Sequence, residues 1–245
     1  MAVHDKRTFE VGPQLAEFDI PIHEFFASNP EYTAFVIGAY IFSSGRRAGY
    51  YEKIPQPPTA TTTETKADTS DCLAPSFETV EFTPPRALIL KRALTDSLGG
   101  LWEGPGGSCD STDATLLDSV VREIFEETGL HVSHIGELVA IEEWERKKGQ
   151  ASESEEKRGM AVKFSFTVNV HEANDEPGND LFTPDWEHNI KLAPSEHEQY
   201  RWVTEVDIGR YSAGQEEIKF TFPSTATNYL EAFDIYNRTY KGLTE

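Results

Sequence analysis

The sequence predicts an α/β domain, and three observations carry that expectation. Apolar, β-branched and aromatic runs at residues 32–42, 87–91, 137–144 and 161–170 read as strands. A central segment ending in Arg122-Glu123-Ile124-Phe125-Glu126-Glu127-Thr128-Gly129 has helical periodicity, with Leu117, Val120, Val121, Ile124 and Phe125 in one sector. A second amphipathic helix closes the chain, with Ala226, Tyr229, Leu230 and Phe233 on one face. With 245 residues, 38% hydrophobic and 11% aromatic, the chain can build one substantial core, so no second domain is needed.

Taken in order, residues 1–30 read as an N-terminal arm with one short helix starting at Pro21, whose fixed φ suits a first helical turn. Phe25 and Phe26 anchor it. The domain proper is expected over 31–237, with a tail at 238–245. Residues 32–42 form a nearly continuous apolar run, as a strand buried on both faces requires. Residues 51–85 are dense in Pro, Thr, Ser and Asp without apolar periodicity, and read as a flexible insertion within the domain. Its Thr-rich part, 59–65, is better explained as solvated linker than as a phosphorylation target.

The central helix has Ser111 or Thr112 as candidate caps, and Gly129 is a natural stop because glycine tolerates the left-handed conformation. The strands at 137–144 and 161–170 are joined by a charged tip at 146–158. In the second of these, Val162, Phe164, Phe166 and Val168 alternate with Lys163, Ser165, Thr167 and Asn169, giving one buried face and one polar face suited to line a cleft. Residues 174–192 read as an irregular loop.

The formal charge of −20 and pI near 4.7 argue against unspecific binding to nucleic acid or to anionic membrane. The two cysteines, Cys72 and Cys109, do not make a disulfide framework, and reduced thiols suit the cytosol. Cys109 has no neighbouring base in sequence to activate it and reads as a spectator. The charged first ten residues lack an apolar signal region, and no stretch has the length of a membrane span, so a cytoplasmic protein is expected.

Glu123, Glu126 and Glu127 stand at spacing i, i+3, i+4, within an arc of roughly 100° on a helical wheel. Such carboxylates can converge on a hard divalent cation, with phosphate oxygens completing its shell. An exposed glutamate pair on an amphipathic helix is by itself more often a solvated face. Two further segments change that weighing. Trp102-Glu103-Gly104-Pro105-Gly106-Gly107 lies one loop upstream, and Glu196-His197-Glu198-Gln199-Tyr200-Arg201-Trp202-Val203 follows downstream. In this order the three segments resemble the signature of the Nudix hydrolases. The second half of the Nudix box, Arg-Glu-apolar-x-Glu-Glu-x-Gly-apolar, is matched in full by residues 122–130. In the first half, direct counting puts Ser108 and Ala114 where the family has Gly and Glu. One inserted loop residue puts Gly107 and Asp113 there instead. The latter alignment is preferred, because an insertion inside the helix would rotate every later side chain by about 100°.

The resemblance implies an α/β/α sandwich with a mixed central sheet. It implies a Mg2+-dependent pyrophosphohydrolase, with Mn2+ as a substitute, cleaving a nucleoside diphosphate linked to another moiety by attack of water on phosphorus. By position, Glu126 and Glu127 are metal ligands, Glu123 is a ligand or water-activating base, and Arg122 orients Glu123. The Gly107 carbonyl is a further ligand candidate, and a later glutamate, Glu196 ahead of Glu198, assists as base or ligand. The implied partner is a nucleotide-type small molecule, and a homodimer is consistent with family habit. The irregular first half of the box keeps a catalytically weak or inactive module, binding a nucleotide or protein, as the alternative.

Other residues have plainer readings. His197 reads as an incidental surface histidine rather than a phosphate contact or proton donor. Trp102, Trp144 and Trp186 are able to stack on a base, but core packing suits Trp102 and loop anchoring Trp186; Trp202 is structural. Lys91 and Arg92 are equally suited to phosphate contact and to solvent. The loops at 51–85, 146–158 and 174–194 carry selectivity in this family, and they leave the identity of the nucleoside diphosphate derivative open.

Overall fold

A computed structural model describes residues 7–43, 84–146, 159–174, 178–214 and 218–241. The expected insertion lies outside them except for residues 84 and 85, as do Cys72 and the tip beyond residue 146.

The strands are β1 (Glu10–Val11), β2 (Tyr32–Ser43), β3 (Arg86–Arg92), β4 (Trp102–Glu103), β5 (Val132–Glu145), β6 (Met160–Val170) and β7 (His197–Thr204). The α-helices are α1 (Ile22–Ser28), α2 (Leu116–Thr128), α3 (Glu205–Ser212) and α4 (Thr225–Lys241). The seven strands form one sheet in the order β1-β5-β6-β2-β3-β4, with β7 on β3. Pairing is parallel in β1/β5 and β2/β6 and antiparallel in β5/β6, β2/β3, β3/β4 and β3/β7. This is the expected mixed sheet between helices.

Each face of the sheet carries its own core. On one side Phe35, Ile37, Leu88, Leu90, Val162, Phe164, Phe166 and Val168 pack with Leu116, Leu117, Val120 and Ile124 of α2. On the other, Tyr40, Ala87, Ile89, Trp102 and Val203 pack with Ala226, Tyr229, Ala232 and Phe233 of α4. The period-2 alternation of β6 thus buries its apolar parity under α2, as its sequence requires. Of the opposite parity, Thr167 and Asn169 line a cavity of about 260 Å³ on the α4 side, with His134, Glu137 and Tyr236. That cavity contains none of the box glutamates.

Several boundaries differ from the sequence expectation. The cap of α2 is Thr115, whose hydroxyl accepts from Asp118 N–H at 3.1 Å, and neither Ser111 nor Thr112. Thr112 is drawn instead into a turn whose Asp110 carboxylate accepts its N–H at 2.8 Å. Gly129 ends α2 at φ 71°, as expected. Pro21 is the cap of α1 rather than its first residue, and Phe26 stacks on Phe35 at 4.4 Å. β5 starts at Val132, five residues earlier than expected, past bulges that interrupt its apolar alternation.

The N-terminal segment holds more than one helix. β1 pairs with β5, a 3-10 turn follows over Pro13–Phe18, and Phe9, Leu15, Phe18 and Phe25 are buried in the α2-side core. Arg7 joins it to the helix start, donating to Asp19 at 2.6 and 2.8 Å and pairing with Asp118 at 3.3 Å. α4 continues through residues 238–241, at the start of the expected tail.

Candidate metal and active site

The 104–109 loop lies along β2 by backbone pairing. Ala39 N–H donates to the Pro105 carbonyl at 2.8 Å, Ile37 N–H to the Gly107 carbonyl at 2.9 Å and Cys109 N–H to the Phe35 carbonyl at 2.9 Å. Such a strapped loop brings its backbone hard against α2, and at two positions there a Cβ has no room unless a neighbour shifts. A Cβ on Gly107 would collide with the Glu123 carboxylate. Gly106, at φ +142°, would drive a Cβ into the Ile37 carbonyl, and its own N–H donates to Glu127 Oε2 at 2.8 Å. Glu123 and Glu127 are consequently buried, at 8% and 3% exposure, one turn apart beneath the glycines.

Arg122 organises the approach to them. Its Nε and Nη2 donate to the two oxygens of Asp113 at 3.0 Å each, Nη2 also to the Ser108 carbonyl at 3.0 Å, and Nη1 to Glu123 at 2.8 Å and Glu126 at 3.1 Å. All five guanidinium N–H groups are thereby used, which fixes the ring plane and one oxygen of Glu123. Asp113 receives Ser119 Oγ at 2.6 Å and Asp110 N–H at 3.0 Å as well, so it ties the loop to the helix. The neighbouring Ala114 contributes its carbonyl to Ile22 N–H at 2.9 Å. Arg122 thus meets its loop carboxylate at Asp113, the residue that an inserted loop position selects.

A second set of groups comes from β4 and β7. β7 carries one extra residue against β3: Gln199 faces Lys91 and His197 faces Arg92, leaving Glu198 between them. A bulge of this kind re-aims side chains. Glu198 turns to Lys91, 2.6 Å away, while His197 enters the interior at 2% exposure. There its Nε2 lies 3.4 Å from Glu103 and its Nδ1 3.7 Å from Glu127. His197 is therefore not the incidental surface residue that its loop-like sequence context predicts. Glu103, 7% exposed, is gripped by Arg92, which also holds Asp96. Glu196 remains exposed, and it brings a carboxylate oxygen to the same place: ligand atoms of Glu127, Glu196 and His197 lie within 4.8 Å of one another.

The electrostatics match this crowding. Burial, with the charges of Glu103, Glu123 and Glu196, raises the Glu127 carboxyl to about 9 despite the Gly106 hydrogen bond. Burial also lifts Glu123, opposed by Arg122 and helped by Glu126 and Glu196. For Glu103 burial acts upward too, but His197, Lys163 and Arg92 outweigh it and the carboxyl is held low. Clustered carboxylates in a half-dry cleft disfavour their shared ionisation unless a cation sits among them. The carboxylates of Glu127 and Glu196, whose ligand atoms lie within 4.8 Å, with Glu123 buried one helical turn away against Gly107, fit a divalent metal ion.

The remaining candidates divide. Glu126 is largely exposed and its resolved partner is Arg122. Trp102 is in the α4-side core, Trp186 and Trp202 pack edge to face at 5.1 Å, and Trp144 lies against Phe222 at 5.2 Å. Cys109 is a free thiol that burial pushes up to about 12, which suits a spectator. Glu103 is the residue to which sequence reasoning gives no role. Its only sequence signal is its place in the Trp-Glu-Gly-Pro-Gly-Gly run, because its partners, Arg92 and His197, stand on two other strands, 11 and 94 residues away.

The sequence profile described as NUDIX domain matches residues 76–222. No curated protein matches the chain. Among solved structures, the chain is similar to a MutT protein from Methanosarcina mazei (19% identity, 83% of this chain and 94% of that one, TM-score 0.44). It is also similar to the E. coli dihydroneopterin triphosphate pyrophosphohydrolase (13% identity, 82% and 95%, TM-score 0.43). A third is an ADP-ribose pyrophosphatase from Streptococcus suis (16% identity, 81% and 90%, TM-score 0.39). With its profile match spanning more than half the sequence, the chain belongs to the Nudix family, whose general chemistry is hydrolysis of pyrophosphate linkages.

Proposed function

We propose that the chain hydrolyses the pyrophosphate linkage of a nucleoside diphosphate joined to another moiety, using Mg2+, with Mn2+ as a substitute. The observation that carries this reading is the convergence of the Glu127 and Glu196 carboxylates, with Glu123 buried one helical turn from Glu127 against the Gly107 backbone. When bound, the cation neutralises phosphate oxygens and lowers the pKa of water. Glu127 and Glu196 would hold it, Glu126 would have to turn from its exposed pairing with Arg122 to join them, and the Gly107 carbonyl is a further ligand candidate. Glu123 acts as ligand or as the base that takes a proton from the attacking water. Arg122 keeps one Glu123 oxygen engaged, so that the other is presented in one direction. Asp113 supports the active reading over the binding-module alternative, because it supplies the loop-to-helix clamp that Ala114 lacks. No protein nucleophile is needed.

The test is phosphate-product release from ADP-ribose, dinucleoside polyphosphates, NADH, CoA derivatives, nucleotide sugars and oxidised nucleotides, with Mg2+, Mn2+ or chelator. Native chain is compared with a Glu126→Gln, Glu127→Gln double variant. The expected result is metal-dependent turnover of at least one substrate that disappears in the variant. No turnover by folded native protein, across the panel and with both metals, would favour the binding module.

A further inference from the structure

His197 has an environment that a structural histidine does not need. Its side chain is 1% exposed, and its Nδ1 is buried without a hydrogen-bond partner. The nearest acidic oxygen, Glu127 Oε1, is 3.7 Å away, beyond hydrogen-bond reach. With Nε2 the nitrogen that faces Glu103, the proton of a neutral ring belongs on Nε2, and Nδ1 presents a lone pair to a carboxylate oxygen. At 3.7 Å the two groups are too far apart to share a proton in a hydrogen bond, and the gap between them is of a size that a cation bound to both can bridge. The Glu196 carboxylate borders the same space. Metal-ligating histidines almost always give their other ring N–H to a carboxylate, which fixes the tautomer and raises the basicity of the ligating nitrogen. Glu103, locked by Arg92, occupies that position.

We infer that His197 is itself a ligand of the metal site, through Nδ1, with Glu103 as its orienting partner, making this a mixed nitrogen and oxygen site. The inference rests on the metal-dependent reading above and sharpens it. An all-oxygen set suits Mg2+, whereas an imidazole nitrogen shifts preference toward first-row transition cations. Mn2+ is therefore expected to bind more tightly than Mg2+. The β7 bulge is what makes the site possible, since it sends Glu198 outward to Lys91 and His197 inward.

The test is pulsed EPR on the full chain carrying one equivalent of Mn2+, with calorimetric titrations of Mn2+ and Mg2+ alongside. The expected spectrum shows the 14N modulation of a directly bound imidazole. That modulation is expected to vanish in folded His197→Gln and to persist in Glu103→Gln, where Mn2+ affinity drops about 10–100-fold. Mn2+ bound by native protein without 14N modulation would overturn the histidine ligand and leave the carboxylate site standing. Failure of folded native protein to bind Mn2+ at all would overturn both. Modulation that survives in folded His197→Gln would also overturn it, and if that variant does not fold, the native spectrum decides alone.

Discussion

Arg122 spends two of its five N–H bonds on Asp113, a carboxylate in the loop, and one on each of Glu123 and Glu126. At the scale of single residues, this makes Asp113 the point where loop and helix are joined. Burial works against its charge, but the Arg122 and Ser119 hydrogen bonds prevail and the carboxyl is held below its ordinary value. A lowered carboxyl contributes stability above its unfolded value, about 3.9, and loses that contribution as pH falls through the lower folded one. Asp113→Asn is therefore expected to cost about 2 kcal/mol at pH 7, the scale of hydrogen bonds to charged groups. Denaturant melts of native and variant proteins should begin to converge as pH falls below about 3.9; a gap that stays constant with pH would show that charge is not what holds the loop. The box glutamates and Arg122 were legible because their spacing is local to one helix. Glu103 and His197 were not: each matters through partners on other strands, and a bulge that adds one residue leaves no mark in the sequence.

At the scale of elements, α2 depends on what stands at its ends and across from it. Thr115 and Gly129 define its length, while Gly107 sets how closely the loop approaches its acidic face. Gly107→Ala places a methyl group where the Glu123 carboxylate lies, and that carboxylate must turn away. The expected outcome is loss of turnover by a factor of 100 or so, the scale of a misplaced catalytic group, in a protein that melts within a few degrees of native. Paired measurements of kcat and Tm check this, and a variant that keeps full activity would remove the close approach from the account. The strands were legible for a related reason. β2 and β6 are long, apolar and regular, whereas the early part of β5 is broken by bulges and reads as loop until its partner is known.

The whole molecule is two cores separated by a sheet, and the N-terminal residues belong to the one that carries the site. Phe18 meets Phe164 and Phe166 edge to face at 5.2 and 5.3 Å, closing the core beneath α2. Phe18→Ala should destabilise by about 3–5 kcal/mol, measured by denaturant melts. A cost near zero would mean that the segment only covers the core. This contribution was hidden in the sequence because a 3-10 turn is too short to show a period, although the fold class itself followed from the longer periodic segments. No helix among the described residues is long and apolar enough to cross a membrane.

Phe42 pairs with Ala87 and Ser43 with Arg86, so residues 44–85 leave and rejoin the domain at adjacent points on one rim of the sheet. Closing a loop whose ends are already pinned depends on its length only logarithmically. Between roughly forty residues and a four-residue turn, the difference is about 2 kcal/mol. The β2–β3 junction is thus a socket: chain can be added, exchanged or pruned there, while the sheet and the helix that carries Glu123 and Glu127 keep their places.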